Sequence, residues 1–423
     1  MAKAETYLVE AHASHVARQK SEQVSALAEK HFTTNLFLLA QVYQHLGKPD
    51  LSAAFCQQTL DRQVIDNACN NDEWMKNATQ LSGYYLGQDR KLAAAQCLAA
   101  AEVVRARTPG LGEETVGNLH WGWAKIALAR LYDAAHALPD PTEEERAARE
   151  RGVEFHMEGL EGYLPKGLEV GGGVLAGYEA ACAEFKTFLS HINEVKKVFP
   201  LDGACSEHVM LLQDVSKAYR HLAALSGKPD DVCKMYKRRI DSLEPVALQL
   251  NPAAFDAQCK EIWYEVAEAY RDMFDVKVAQ VEQGAKKIGQ DKLQALADGS
   301  IKAYQHYLKC FLPVPNDPET SDKNQPQGLG DARIRRWYLT ARFGLARILS
   351  KRPGNDLNER RKYLAQALDE YKRIVELGEK MPFQPKDEVN FEQEIEMCRE
   401  MVSLLPAKIH RLHTLHPGLS GTA

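Results

Sequence analysis

Almost every long segment of this 423-residue chain repeats its apolar residues at three- and four-residue steps, and none alternates them as a half-buried strand would. From Asn35 to Leu46 the residues Leu36, Leu39, Ala40, Tyr43 and Leu46 fall on one helical face. The stretch Gly47-Lys48-Pro49-Asp50 then stops that helix, glycine releasing its C-terminus and Asp50 capping the next helix. That second run, Leu51 to Val64, is amphipathic again through Ala53, Ala54, Cys56 and Leu60. Two amphipathic helices joined by so short a turn make a hairpin whose apolar faces need further helices to cover them.

The unit recurs. Leu81, Tyr84 and Tyr85 lead through Gly87-Gln88-Asp89 into the alanine-rich run Lys91 to Val104, and small residues on a second helix let its partner approach closely. Leu81, Tyr85, Ala94, Leu98 and Ala101 have the spacing of a tetratricopeptide repeat, whose unit is about 34 residues. Trp263, Val266, Ala267 and Tyr270, followed nine residues on by Ala279, reproduce the pattern, and a looser copy runs from Leu339 to Leu349 and from Tyr363 to Leu377. Between these copies Gly117–Leu138, Glu143–Tyr163, Tyr178–Val198, Ser206–Leu225 and Asp230–Leu250 read as helices. Asn251-Pro252 reads as cap and first position of the helix that carries Trp263. The expectation is all-α: a tetratricopeptide-like right-handed α-solenoid of antiparallel helix pairs. Residues 1–166 are read as N-terminal repeats, and 167–423 as C-terminal repeats continuing the same solenoid past a bend at 167–173. A loop at 313–330, rich in Pro, Asn, Gln and Gly, is longer than the usual connection.

Composition then limits function. With 45% hydrophobic and 26% charged residues the chain is a folder, and a net charge of −5 argues against nucleic acid and for a basic protein partner. Nine scattered cysteines form no C-x-x-C pair and read as reduced core residues of a cytoplasmic protein. No signal peptide or membrane span is visible, so no membrane insertion is expected. Phosphate-loop, nucleophile-elbow and metal-ligand spacings are missing; Gly171-Gly172-Gly173 reads as a turn, His12/His15 and His410/His413/His416 lack completing ligands, and Lys234–Arg239 reads as a solvated helix face. No enzyme activity, small-molecule substrate, metal or cofactor is therefore expected, and the chain reads as a protein-binding scaffold.

Three blocks carry a resemblance. Asn35-Leu36-Phe37-Leu38-Leu39-Ala40-Gln41-Val42-Tyr43-Gln44-His45-Leu46, Lys234-Met235-Tyr236-Lys237-Arg238-Arg239-Ile240-Asp241-Ser242-Leu243-Glu244-Pro245 and Glu400-Met401-Val402-Ser403-Leu404-Leu405-Pro406-Ala407-Lys408 resemble the kinesin-binding proteins known as KIF-binding protein. Against that family the chain is expected to begin part-way in, and Leu38 departs from the Tyr of animal members. The resemblance implies a cytoskeleton-associated regulator of microtubule-based transport that grips kinesin motor domains and blocks their attachment to the track. It implies partner contacts at Gln41, Gln63 and Gln80 along one groove and at Asn251 near another. A competing expectation is a co-chaperone or assembly adaptor that clamps peptide tails; it needs Lys and Asn on successive first helices, whereas Lys30 and Asn35, five residues apart, fall on different faces and no Lys/Arg partner follows.

Overall fold

A computed structural model of the chain describes residues 2–19, 25–65, 70–136, 175–285, 287–312, 326–384 and 389–414, with Glu144 and Asp387. All regular structure among these is helical. In unit one, Met1–Leu225, the helices are α1 (Ala2–Gln19), α2 (Ala26–His45), α3 (Pro49–Ile65), α4 (Asn71–Gly87), α5 (Lys91–Arg107), α6 (Glu113–Ala135), α7 (Gly177–Val198) and α8 (Cys205–Leu225). In unit two, Ser226–Ala423, they are α9 (Pro229–Gln249), α10 (Asp256–Glu282), α11 (Gln290–Lys309), α12 (Ala332–Lys351), α13 (Leu357–Lys380) and α14 (Glu392–Thr414). Within each unit a helix packs on the next along the chain. In unit one α4 also meets α6, and α6 meets α8. Contacts confined to the next helix or the next but one are the pattern of an α-solenoid built of antiparallel helix pairs.

The α4–α5 hairpin shows why the sequence folds this way. Asn70 caps α4 by accepting from the Asp72 N–H at 3.0 Å, with Asp72 and Glu73 in the first turn where the helix dipole favours them. The chain reverses at Asp89, whose φ of +58° is left-handed, a region that Asp tolerates better than most residues. Ala93, Ala94, Ala95, Cys97, Leu98 and Ala99 to Ala101 of α5 are all buried, so this helix is covered almost all round. Only small side chains allow that: a Cβ on Gly122 of α6 would come within 2.8 Å of Leu98. Trp74, 1% exposed, donates its indole N–H to the Leu60 carbonyl at 3.0 Å, and the Tyr85 hydroxyl donates to Gln57 at 2.8 Å, tying α4 to α3.

Several expectations are corrected. The tetratricopeptide-like spacing from Trp263 to Ala279 does not mark a hairpin, because α10 runs unbroken through both residues. Its 27 residues hold no glycine or proline that would stop it. Pro252 is not the first residue of α10: Asn251 and Pro252 belong to a separate turn, and the helix starts at Asp256. The helix after Gly47 begins at Pro49, before the expected cap Asp50. In the basic run, Lys234 and Lys237 are exposed and paired with Asp231 and Asp241, but Arg239 is 2% exposed and faces Glu265. Apart from Glu144, the expected helix Glu143–Tyr163 lies outside the described residues, as do the bend at 167–173, the 166/167 division and the loop from 313 to 325.

Candidate functional site

Helix α2 has two faces of opposite character. Phe32, Asn35, Leu36, Leu39, Ala40, Val42 and Tyr43 are buried, whereas Phe37, Leu38, Gln41, Gln44 and His45 are exposed at helical spacing. Ser25 caps this helix through its Oγ, which accepts from the Ala28 N–H at 3.3 Å. The N-terminal helix is held to it by the Asn35 amide, which donates to the Leu8 carbonyl at 3.1 Å, and by Lys48 on Glu5 at 2.9 Å. His15 stacks on Phe32 with ring centroids 4.0 Å apart, and His12 packs on both Phe32 and Phe55. Those two histidines are packing residues here.

The exposed face of α2 stands as a ridge between two grooves. One, about 330 Å³, lies between α2 and α3, is reached by Asn77 of α4, and is walled by Phe37, Gln41, Gln44, Cys56 and Gln63. The other, about 420 Å³, lies between α1 and α2 and is walled by Tyr7, Leu8, Leu38 and Val42. Gln41 and His45 border both. Apolar side chains are prominent on and beside this ridge: Phe37 is 44% exposed and Leu38 40%, and Tyr7 of α1 is 70% exposed across the groove.

The chemistry of the α2–α3 groove is that of neutral amides. Gln41, Gln44, Gln63 and Asn77 each offer both donor and acceptor. Among the described residues no carboxylate borders either groove, so the acidic balance of the chain is not concentrated there. The hydroxyls are already committed, Ser52 donating to the Ala40 carbonyl at 2.8 Å and Thr59 to the Phe55 carbonyl at 2.8 Å. Burial pushes the Cys56 thiol up to about 11, leaving almost no thiolate at neutral pH. Such a surface recognises shape and hydrogen-bonding pattern.

Gln41 and Gln63, from successive helices, are thus brought to one groove. Gln80 is exposed on α4 one turn beyond Asn77 but does not border it. Asn251 belongs to unit two, where its Oδ1 accepts from the Ala253 N–H at 3.0 Å and its carbonyl from the Phe255 N–H at 3.0 Å, closing the turn before α10. Sequence reasoning missed Phe37, Gln44 and Asn77. The first two lie four residues before and three after Gln41, so helical arithmetic finds them once Gln41 is chosen; Asn77 comes from another hairpin. Among the described residues no helix is long and apolar enough to cross a membrane, and no three metal-ligating side chains converge.

Residues 72–412 match the family profile described as KIF-1 binding protein C terminal, so α1 to α3 precede the matched region. The proteins named KIF-binding protein of Homo sapiens and Bos taurus are each 31% identical over 428 residues, an alignment covering 91% of this chain and 66% of theirs. That of Drosophila melanogaster is 26% identical over 417 residues, with 91% and 67% covered. The chain spans just under two thirds of the length of these two vertebrate relatives.

Proposed function

The chain belongs to the KIF-binding protein family, and from that membership we propose that it is a non-enzymatic scaffold that binds kinesin motor domains and keeps them off microtubules. Acting in the cytoplasm, it would thereby restrain microtubule-based transport. The observation that carries this reading at residue level is the groove shared by Gln41 and Gln63 beside an exposed apolar ridge. A binding surface gains affinity from aromatic anchors such as Phe37 and Tyr7, and specificity from amides that lose water only when correctly paired. Because no carboxylate borders the grooves among the described residues, attraction of a basic motor surface is assigned to the rest of an acidic protein, and docking to shape and hydrogen bonds.

A clamp for peptide carboxylates is disfavoured at this site, since Asn35 is 8% exposed and its amide is committed to Leu8. The test is co-pelleting of kinesin motor domains with microtubules, with and without the purified chain. The wild-type chain is expected to reduce the pelleted motor. Gln41→Ala/Gln63→Ala, with an unchanged circular dichroism spectrum, is expected to bind about tenfold or more weakly, as two interface hydrogen bonds of about 1 kcal/mol each predict. A chain that neither co-elutes with any motor domain nor lowers its pelleting sinks the proposal.

A further inference from the structure

His120 of α6 and His191 of α7 bring their Nδ1 atoms within 3.1 Å of one another, with ring centroids 5.4 Å apart and ring planes at 38°. Both side chains are half-buried, so solvent reaches them. Two neutral imidazoles fit this spacing only if one carries Nδ1–H and the other presents a lone pair. Burial lowers the pKa of both rings, which leaves them uncharged near neutral pH. The charged groups that face them are already paired: Glu102 with Arg105 of α5 at 2.8 Å, and Glu194 with Lys197 of α7 at 2.7 Å. Trp123 stacks over His191 at 6.4 Å. The folded core does not call for two histidines here, because a single hydrogen bond between half-exposed rings contributes little to stability.

We propose that His120 and His191 form a two-imidazole site for a borderline divalent transition metal, of the class of Zn²⁺, Ni²⁺ and Cu²⁺. A cation about 2.0–2.1 Å from each of two nitrogens at a tetrahedral angle sets them roughly 3.3 Å apart, so the rings need to part by only a few tenths of an ångström. On binding, both Nδ1 atoms present lone pairs. The ring that carried Nδ1–H takes its proton on Nε2 through exchange with solvent, so no net proton is released. Water completes the coordination, since no third metal-ligating side chain converges with these two among the described residues. The site is therefore exchangeable, and because its ligands come from two helices a bound cation clips α6 to α7.

Calorimetric titration of the full chain with Zn²⁺, Ni²⁺ and Cu²⁺ tests this, with Trp123 as a reporter through fluorescence quenching by Cu²⁺. Affinity is expected to follow Ni²⁺ < Cu²⁺ > Zn²⁺, with Mg²⁺ and Ca²⁺ silent. His120→Gln and His191→Gln are each expected to weaken Zn²⁺ binding about tenfold or more and to abolish the Zn²⁺-dependent rise in melting temperature. Carbethoxylation mapped by mass spectrometry needs no variant: Zn²⁺ should protect His120 and His191 of the wild-type chain together. Equal affinity in wild type and both variants, meaning an adventitious ion only, overturns the proposal, as does reaction of both histidines at an unchanged rate in saturating Zn²⁺.

Discussion

Substituting Gly344 with alanine adds one methyl group to the glycine of unit two whose Cβ would, among the described residues, come nearest another atom. A Cβ there would lie 2.4 Å from the Tyr304 Oη and 2.5 Å from its Cζ, well inside van der Waals contact. Tyr304 cannot swing aside cheaply. It is fully buried, its hydroxyl donates to Glu268, and Arg271 donates to that hydroxyl at 3.3 Å, so the ring is fixed between α10, α11 and α12. Overpacking of this kind costs about 1–3 kcal/mol, and displacing the hydroxyl from its buried partners adds about 1–3 kcal/mol. Replacing glycine by alanine inside a helix returns only about 1 kcal/mol. The net loss is therefore about 1–5 kcal/mol, and for a unit of this size each kcal/mol lowers the melting temperature by roughly 2–4 °C. Gly83 supplies the control. It lies exposed inside α4 with nothing within 4 Å of the added Cβ, so Gly83→Ala should stabilise by about 0.5–1 kcal/mol. Differential scanning calorimetry of the two variants measures both shifts. Gly344→Ala melting at or above the wild-type temperature would refute the claim that Tyr304 is held rigidly. Tyr304→Phe in that background should recover part of the loss, since it removes the nearest atom and leaves Cζ in place.

Other outcomes are equally specific. Asn35→Ala removes the amide that holds the Leu8 carbonyl and should cost about 1–2 kcal/mol. Hydrogen exchange monitored by mass spectrometry should then show α1 exchanging faster while α4 and α5 stay protected; equal protection of α1 would mean that the bond does not anchor it. At His306 burial, with Lys309 adding to it, holds the imidazole below its usual 6.5, and the ring stacks on Trp263 at 4.3 Å. The unfolded chain then takes up a proton first as pH falls through 6.5. Stability from this site is thus full above about pH 7, falls as pH drops, and levels off below the folded-state pKa. Urea midpoints at about pH 7.5 and about pH 5.5 should differ more for the wild type than for His306→Gln; identical shifts would refute the assignment.

The helix pairs were legible because a stripe of apolar residues at helical spacing can be buried only as a helix. Gly47 and the Gly87-Gln88-Asp89 turn break two of those stripes where left-handed backbone is needed. The repeat spacing was less informative than the stripes. Trp263 to Ala279 satisfied it on a single long helix, because a list of small and aromatic positions says nothing about where a backbone turns. Arg239 shows the same limit. Its neighbours Lys234 and Lys237 are solvated as their charge suggests, but the rotation of α9 against α10 buries Arg239 beside Glu265.

The sequence by itself determined an all-helical chain, its hairpins and, through three matched blocks, its family. Each of these depends on local periodicity or on a contiguous string of residues. Tertiary structure alone decided which polar residues act together. Gln41, Gln63 and Asn77 share a groove although they come from three helices, while Asn251, chosen on the same grounds, closes a local turn in the other unit. It also set His120 against His191 across 71 positions of chain. The physical reason is that a helix face is fixed by nearby residues, whereas a groove or a ligand pair is fixed by how two helices are rotated and set against each other, and that rests on the packing of the whole stack.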